Sequence, residues 1–400
     1  MRGSAPLSHF ISVNALTSTT AAAVAVPFVD FAPMHDPLEA EFAAAIARVL
    51  ERGDFILGKD VREFEAAFAE ATGVAHGVGV ASGTDAIALG LQACGVEAGD
   101  EVIVPANTFI ATVIGAIHAG ARPVLVDCDL ATGLIDLDAA EAAITPKTKA
   151  IVPVHLYGQV VSPRRLLEIS ERHGVTIFED AAQAHLADRD GYTAGTIGKA
   201  AAYSFYPAKN LGAFGNGGIV LTRDSAVADK VRSLRNYGAP KKYLHVEHGT
   251  NSRLDTIQAA ILNVKLPHLR EWNRDRNACA AEYDRLLAPL ADRGIVPMRN
   301  DSGGGHIYHL YVLHLSDRAP LDRDALASAL QERNISTGIH YPIPCHRQPG
   351  YLDLGYPEGA FPNAEALCGE ILSLPMFPGL GLDRVETVCT AIEEIIATCG

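Results

Sequence analysis

Three features of this 400-residue sequence predict an α/β fold built on a buried, mostly parallel sheet. Seven short, near-continuously apolar runs follow one another from Gly73 onward, the pattern of strands covered on both faces. Stretches with helical spacing of apolar residues separate them. A hydrophobic share of 48% in a chain of this length supports a sizeable core, divided into two or three lobes.

Residues 1–26 are rich in Ser, Thr and Ala and read as a disordered leader, because the apolar stretch Ala21 to Val26 is too short for a signal peptide. Beyond Pro27, Leu38, Phe42, Ile46 and Val49 share one helix face and Val61, Phe64 and Phe68 another, with Gly53 and Gly58 as breakers. Strands are expected over 77–81, 101–105, 123–126, 150–155, 175–178, 201–205 and 218–221. A long helical pattern over 252–272, marked by Ile257, Ile261 and Val264, runs to Pro267 and bridges to a second, α+β lobe. There 309–315 and 333–340 alternate as strands, and Val385, Val388, Ile392 and Ile395 form the buried stripe of a closing amphipathic helix.

With 33 Lys+Arg against 47 Asp+Glu the formal charge is −14, which argues against sequence-independent nucleic-acid binding. No run approaches the roughly 18 apolar residues of a membrane span, so no membrane partner is expected. The seven cysteines are odd in number, scattered and without C-x-x-C spacing. They suggest neither a disulfide framework nor a metal site, and a cytoplasmic location fits them best.

Chemistry is expected just past the carboxyl ends of the strands. Ser82-Gly83-Thr84-Asp85 joins a strand to a helix, a setting suited to phosphate, although a simple helix cap reads equally well. Neither G-x-G-x-x-G nor G-x-x-x-x-G-K-S/T occurs here, which weakens nicotinamide and nucleoside-triphosphate readings. Glu179 and Asp180 end a buried strand, and a carboxylate at that place needs a cation, a donor or water. Asp180 could hold the proton of a pyridine nitrogen, so that the ring acts as an electron sink, or could cap a following helix. Lys209 lies between a strand end and the glycine-rich Gly215-Asn216-Gly217-Gly218. Desolvation there favours the neutral, nucleophilic amine; a solvated surface lysine is the alternative.

The ordered set SGTDA, NTFIAT, EDAAQAH, SFYPAKNLGA, NSRLDTIQAAIL and HYPIPCH resembles the pyridoxal-phosphate-dependent sugar aminotransferases of the DegT/DnrJ/EryC1/StrS family, over about residues 27–400. The resemblance implies a fold-type-I, aspartate-aminotransferase-like homodimer, with a large cofactor-binding α/β domain over 27–265 and a smaller α+β domain over 266–400. It implies that Lys209 forms the Schiff base and that Asp180 partners the pyridine nitrogen. Gln183 would contact the ring hydroxyl, Gly83, Thr84 and Ser204 the phosphate, and Phe109 the cofactor face. Asn251 would reach the phosphate of the neighbouring subunit, so that active sites are shared. Tyr206 and Tyr341 match positions lining the sugar pocket, with His340, His346 and Arg253 as further substrate contacts.

In this family the lysine anchors the cofactor and then moves the proton at the amino-acid Cα, first with L-glutamate as donor and then with a nucleotide-linked keto-deoxysugar as acceptor. Tyr206, where many 4-aminating relatives have histidine, resembles enzymes that aminate C3 of dTDP-3-keto-6-deoxyhexoses; C4 amination is the alternative, and a regulatory relative without turnover is an alternative of another class. A nicotinamide oxidoreductase does not explain Asp180, Gln183 and Lys209 together. Two positions depart from the family: Asn216 stands where an acidic residue is usual, and Leu186 where glycine is usual.

Overall fold

The computed structural model describes residues 26–399, so the leader expected over 1–26, except Val26, lies outside the described residues. Seven strands near the expected places form one sheet: β1 His76–Val80, β2 Glu101–Pro105, β3 Arg122–Val126, β4 Thr148–Ile151, β5 Thr176–Asp180, β6 Ala200–Ser204 and β7 Gly218–Thr222. Their spatial order is β1-β7-β6-β5-β4-β2-β3. Only β7 runs antiparallel to its neighbours, β1 and β6; the other pairs are parallel. Helical crossovers cover both faces of such a sheet, which is why its strands read as continuous apolar runs rather than alternating ones.

A second apolar core surrounds a three-stranded antiparallel sheet, Ile295–Pro297, Tyr311–Leu315 and Ile371–Leu374. The closing helix Leu382–Thr398 buries Val385, Val388, Ile392 and Ile395 there, as its spacing predicts. Val26 belongs to this core and bridges to Ile335.

Two expectations need correction. The pattern over 252–272 is not one helix: Thr256–Lys265 ends in a tight turn at Leu266–His268 and a new helix runs Leu269–Leu287, since Pro267 offers no N–H to continue the ladder. Residues 333–340 are not a strand. Asn334 takes φ 58°, and Ile335 and Gly338 make single bridges to different partners, Val26 and Ser373. The strands Ile295–Pro297 and Ile371–Leu374 lie outside the expected set. Among the described residues no helix is long and apolar enough to cross a membrane, and the seven cysteines are free, with Cys399 alone exposed.

The parallel strands point their carboxyl ends one way, and the segments following β2, β5 and β6 carry the quoted motifs. The helices Gly83–Ala93, after β1, and Ala111–His118, after β2, present their N-termini at this end.

Candidate active site

Asp180 closes β5 and is buried. One oxygen accepts the Thr112 hydroxyl at 2.8 Å and the other the Ala182 N–H at 3.1 Å. Thr112 spends its hydrogen on the ionised carboxylate, so at the 2.9 Å contact with Thr108 it is Thr108 that donates. Burial pushes the Asp180 carboxyl up, while Thr112, Ala182 and the Lys209 charge pull it back. The chain after β5 forms turns and no helix, which removes the helix-cap reading of Asp180.

Lys209 follows β6 on a turn whose first link is its own N–H to the Tyr206 carbonyl, 2.9 Å. The turn closes only on glycine at 212, since a side-chain carbon there would stand 2.1 Å from the Pro207 oxygen. Burial draws the lysine amine down to about 8, with Asp180 opposing. His185 and His340 are held neutral, lowered to about 3 and about 4, first by burial and then by the Lys209 charge. Both imidazoles feel the charge of the amine and do not compete for its proton.

The helix Gly83–Ala93 begins beside this turn, with Ser82 as N-cap accepting the Asp85 N–H at 3.1 Å. Gly83 lies against Ser204: a side-chain carbon at 83 would sit 2.6 Å from Ser204 Cβ. Gly218 opens β7 against the same corner, 2.4 Å by the same measure from the Ser82 carbonyl oxygen. The first N–H groups of the helix, with Thr84 at its second position and the Ser204 hydroxyl beside it, make a narrow cup for an anion. Ser252 braces the cup, accepting the Ala81 N–H at 3.1 Å and donating to Asp85 at 2.9 Å.

Gln183 is buried, its oxygen accepting the Tyr157 N–H at 2.6 Å and its amide donating to the Tyr341 hydroxyl at 3.1 Å. Tyr341 in turn sits with its ring 5.4 Å from that of Phe109, which is 53% exposed. His340 bonds Ser373 at 2.9 Å and stacks on Phe28. Tyr206 stands 56% exposed at the rim of the lysine turn. Asp180, Gln183, Lys209, Phe109, Tyr341 and His340 are thus brought together, with the Gly83, Thr84 and Ser204 cup adjoining.

Three named residues make their side-chain contacts with other groups. Asn251 is exposed and accepts from Arg253 at 2.6 Å; Arg253 also donates to Asn236 at 2.9 Å and covers the Tyr237 ring. His346 is buried to 1% exposure, paired to Glu365 at 2.9 Å with its ring edge on Phe361. Thr112, Ser252 and Asp85 had no role assigned from sequence. Each lies within a quoted motif, Thr112 in NTFIAT, Asp85 in SGTDA and Ser252 in NSRLDTIQAAIL. Of the two departures, Leu186 adopts φ 63°, the left-handed region that favours glycine, and Asn216 is exposed on the loop before β7.

The groups present fit pyridoxal phosphate: a buried carboxylate without an ion-pair partner among the described residues for the pyridine nitrogen, an amine depressed toward neutrality for the aldehyde, and a glycine-lined helix N-terminus for the phosphate. The model of the DegT/DnrJ/EryC1/StrS aminotransferase family matches residues 36–393. A "pleiotropic regulatory protein" of Geobacillus stearothermophilus is 45% identical over 92% of this chain and 98% of its own. The dTDP-3-amino-3,4,6-trideoxy-alpha-D-glucose transaminase of Streptomyces venezuelae is 44% identical over 92% and 96%. The crystal structure of S. venezuelae DesV in complex with a ketimine intermediate superposes with a TM-score of 0.88 at 44% identity, covering 93% of this chain and 98% of that one. By motif, fold and site this chain belongs to the DegT/DnrJ/EryC1/StrS aminotransferase family and is a pyridoxal-phosphate-dependent sugar aminotransferase.

Proposed function

We propose that the protein transfers the amino group of L-glutamate to C3 of a dTDP-linked 3-keto-6-deoxyhexose, as a cytoplasmic homodimer whose neighbouring subunit lends Asn251 to the phosphate. The observation that carries transamination is a half-buried lysine, its amine drawn down to about 8 by desolvation, beside a buried carboxylate whose hydrogen-bond donors are neutral. Pyridoxal phosphate supplies the electron sink for the carbanion left at the amino-acid Cα. Asp180 keeps the proton on the pyridine nitrogen, oriented by Thr112. Lys209 Nζ would be the base that takes the Cα proton and the acid that returns it two atoms along, at the carbon of the former aldehyde. Gln183 and Tyr341 fix the edge of the site, and the helix N-terminus holds the phosphate. Exposed Tyr243, Leu244 and Val246, near Asn251, offer an apolar surface to the second subunit. The division at residue 265 into a cofactor-binding part and a C-terminal part belongs to the same reading.

C3 regiochemistry is supported by Tyr206 and by the Streptomyces relative, named for a 3-amino sugar. The visible spectrum with pyridoxal phosphate, before and after L-glutamate, tests the donor half. A band that glutamate shifts to that of the aminated cofactor carries the reading forward, and 3-keto and 4-keto dTDP-sugars then compete for the amine. Amino-sugar product from the 4-keto substrate alone would move the assignment to C4. The regulatory name of the Geobacillus relative favours a second reading, cofactor binding without turnover. A band indifferent to every amino donor would select it.

A further inference from the structure

Asn210, next in the chain to Lys209, is buried and fully engaged. Its amide nitrogen donates to Asn273 Oδ1 at 3.0 Å and to the Ile307 carbonyl at 3.2 Å, and its oxygen meets His309 Nδ1 at 3.0 Å. Asn273, on the helix Leu269–Leu287, donates its own amide to the His185 carbonyl at 3.0 Å. Those two main-chain carbonyls settle every orientation. The His185 carbonyl requires the Asn273 nitrogen, which turns the Asn273 oxygen toward Asn210; Asn210 then presents nitrogen there and to Ile307, and oxygen to His309. His309 Nδ1 therefore carries the proton and Nε2 the lone pair. Arg276 fixes the His309 backbone, donating to the carbonyls of Tyr308 at 3.0 Å, His309 at 3.3 Å and Met376 at 2.9 Å.

The amides of Asn210 and Asn273 and the Nδ1 of His309 are paired with one another and with backbone carbonyls, where apolar side chains would fill the space at lower cost. What the polar atoms add is direction, and they converge on the residue adjoining the reacting amine. We infer that His309 and Asn273, acting through Asn210, are positioning residues that hold the Lys209 turn against the Leu269–Leu287 helix and the segment entering the strand Tyr311–Leu315. The inference rests on Lys209 being the reacting amine, and goes beyond it by making presentation of that amine depend on residues of the C-terminal part.

The test uses holoenzyme with His309→Leu, which removes the donor, and His309→Asn, whose amide nitrogen can stand where Nδ1 stood. Asn210→Leu breaks the network from its other end, and Lys209→Ala is the control. Read by stopped-flow absorbance with L-glutamate, kcat of the donor half falls about tenfold to a hundredfold in His309→Leu, with KM within about twofold, and His309→Asn recovers most of the loss. In cofactor-free protein, capture of pyridoxal at Lys209, trapped with borohydride and located by peptide mass, slows in the same order. The double variant His309→Leu with Asn210→Leu is no worse than the poorer single one, as expected of one unit. Wild-type kcat in His309→Leu, a loss that His309→Asn leaves unrestored in folded protein, or additive losses in the double variant would each overturn the inference. If Lys209→Ala still bleaches the band with glutamate, the functional reading has failed instead, which the control shows separately.

Discussion

Glu179 and Asp180 are neighbours on one strand, buried to a similar degree, and they have opposite surroundings. Glu179 is saturated: one oxygen accepts His155 Nε2 at 2.9 Å and the Gly195 N–H at 2.7 Å, the other the N–H groups of Ile197 at 2.9 Å and Gly198 at 2.8 Å. Asp180 has one hydroxyl and one N–H, and its carboxyl is pushed up. The pleat sends the two side chains to opposite faces, one into the loop that leads to β6 and one into the cleft. Burial thus serves two ends. On one face the carboxylate organises backbone, and on the other it is left with two donors, which in the proposed function leaves room for a bound cation.

Exchanging each acid for its amide gives the largest separation. Asp180→Asn should lower kcat about 10²–10³-fold, since the electrostatic partner of the reacting ring is lost. It should not lower the thermal midpoint of the cofactor-free protein, since it removes a charge whose burial is only partly compensated. Glu179→Gln sets an NH₂ against two of four donors whichever way the amide is turned, and should cost about 3–5 kcal/mol in urea unfolding with kcat per folded molecule nearly unchanged. The contrast collapses if the two variants lose activity and stability in the same proportion. A smaller change sharpens it: Thr112→Val removes the hydroxyl that pulls the Asp180 carboxyl down, and pyridoxal phosphate affinity should drop about tenfold. Titration of the visible band with cofactor reads this, and an affinity within about twofold of wild type would leave Thr112 no part in holding the carboxylate.

The same contrast marks what could be read from sequence. The acid pair, the lysine and the Ser82 to Asp85 corner were legible because each is a strand end or turn, where local pattern and chemistry coincide. The saturation of Glu179 was not, since three of its donors are backbone groups of a loop more than a dozen residues downstream with no side-chain signal. Ser252 on Asp85 and His309 on Asn210 join residues far apart in the chain. The seven large-sheet strands announced themselves as apolar runs, while their order and the reversal of β7 depend on pairing that no run encodes. Residues 333–340 misled because alternation continues across Asn334, whose left-handed backbone breaks the strand without altering the pattern.

Titration separates the acids again. The Lys209 amine, drawn to about 8 by burial and held up by Asp180, must be neutral to capture an aldehyde. In cofactor-free protein the rate of pyridoxal trapping should therefore climb to a plateau through pH about 8, instead of the ordinary lysine value of 10.5. Asp180→Asn removes the charge that raises the amine, so its midpoint should move lower, whereas Glu179→Gln should leave it in place. A midpoint near 10.5, or one that Asp180→Asn raises, would contradict the burial of this amine beside that acid.

The smallest effect concerns the segment that leaves Asp180. Leu186 is buried, 7% exposed, with φ 63°. A side chain in the left-handed region costs about 1–2 kcal/mol, and a buried leucine returns about 1.5–3 kcal/mol. Leucine is therefore tolerated where glycine would relax the backbone. Leu186→Gly should destabilise only slightly, because lost burial is offset by relief of that conformation. Leu186→Ala loses the burial and keeps the strain, so glycine should exceed alanine by about 1 kcal/mol, the reverse of their order in ordinary backbone. Thermal unfolding of the two cofactor-free variants decides it. Alanine equal to or above glycine would mean that the turn after Asp180 stores no strain, and packing against Asn273 and Ile307, which share a surface cleft with Leu186, would decide the residue there.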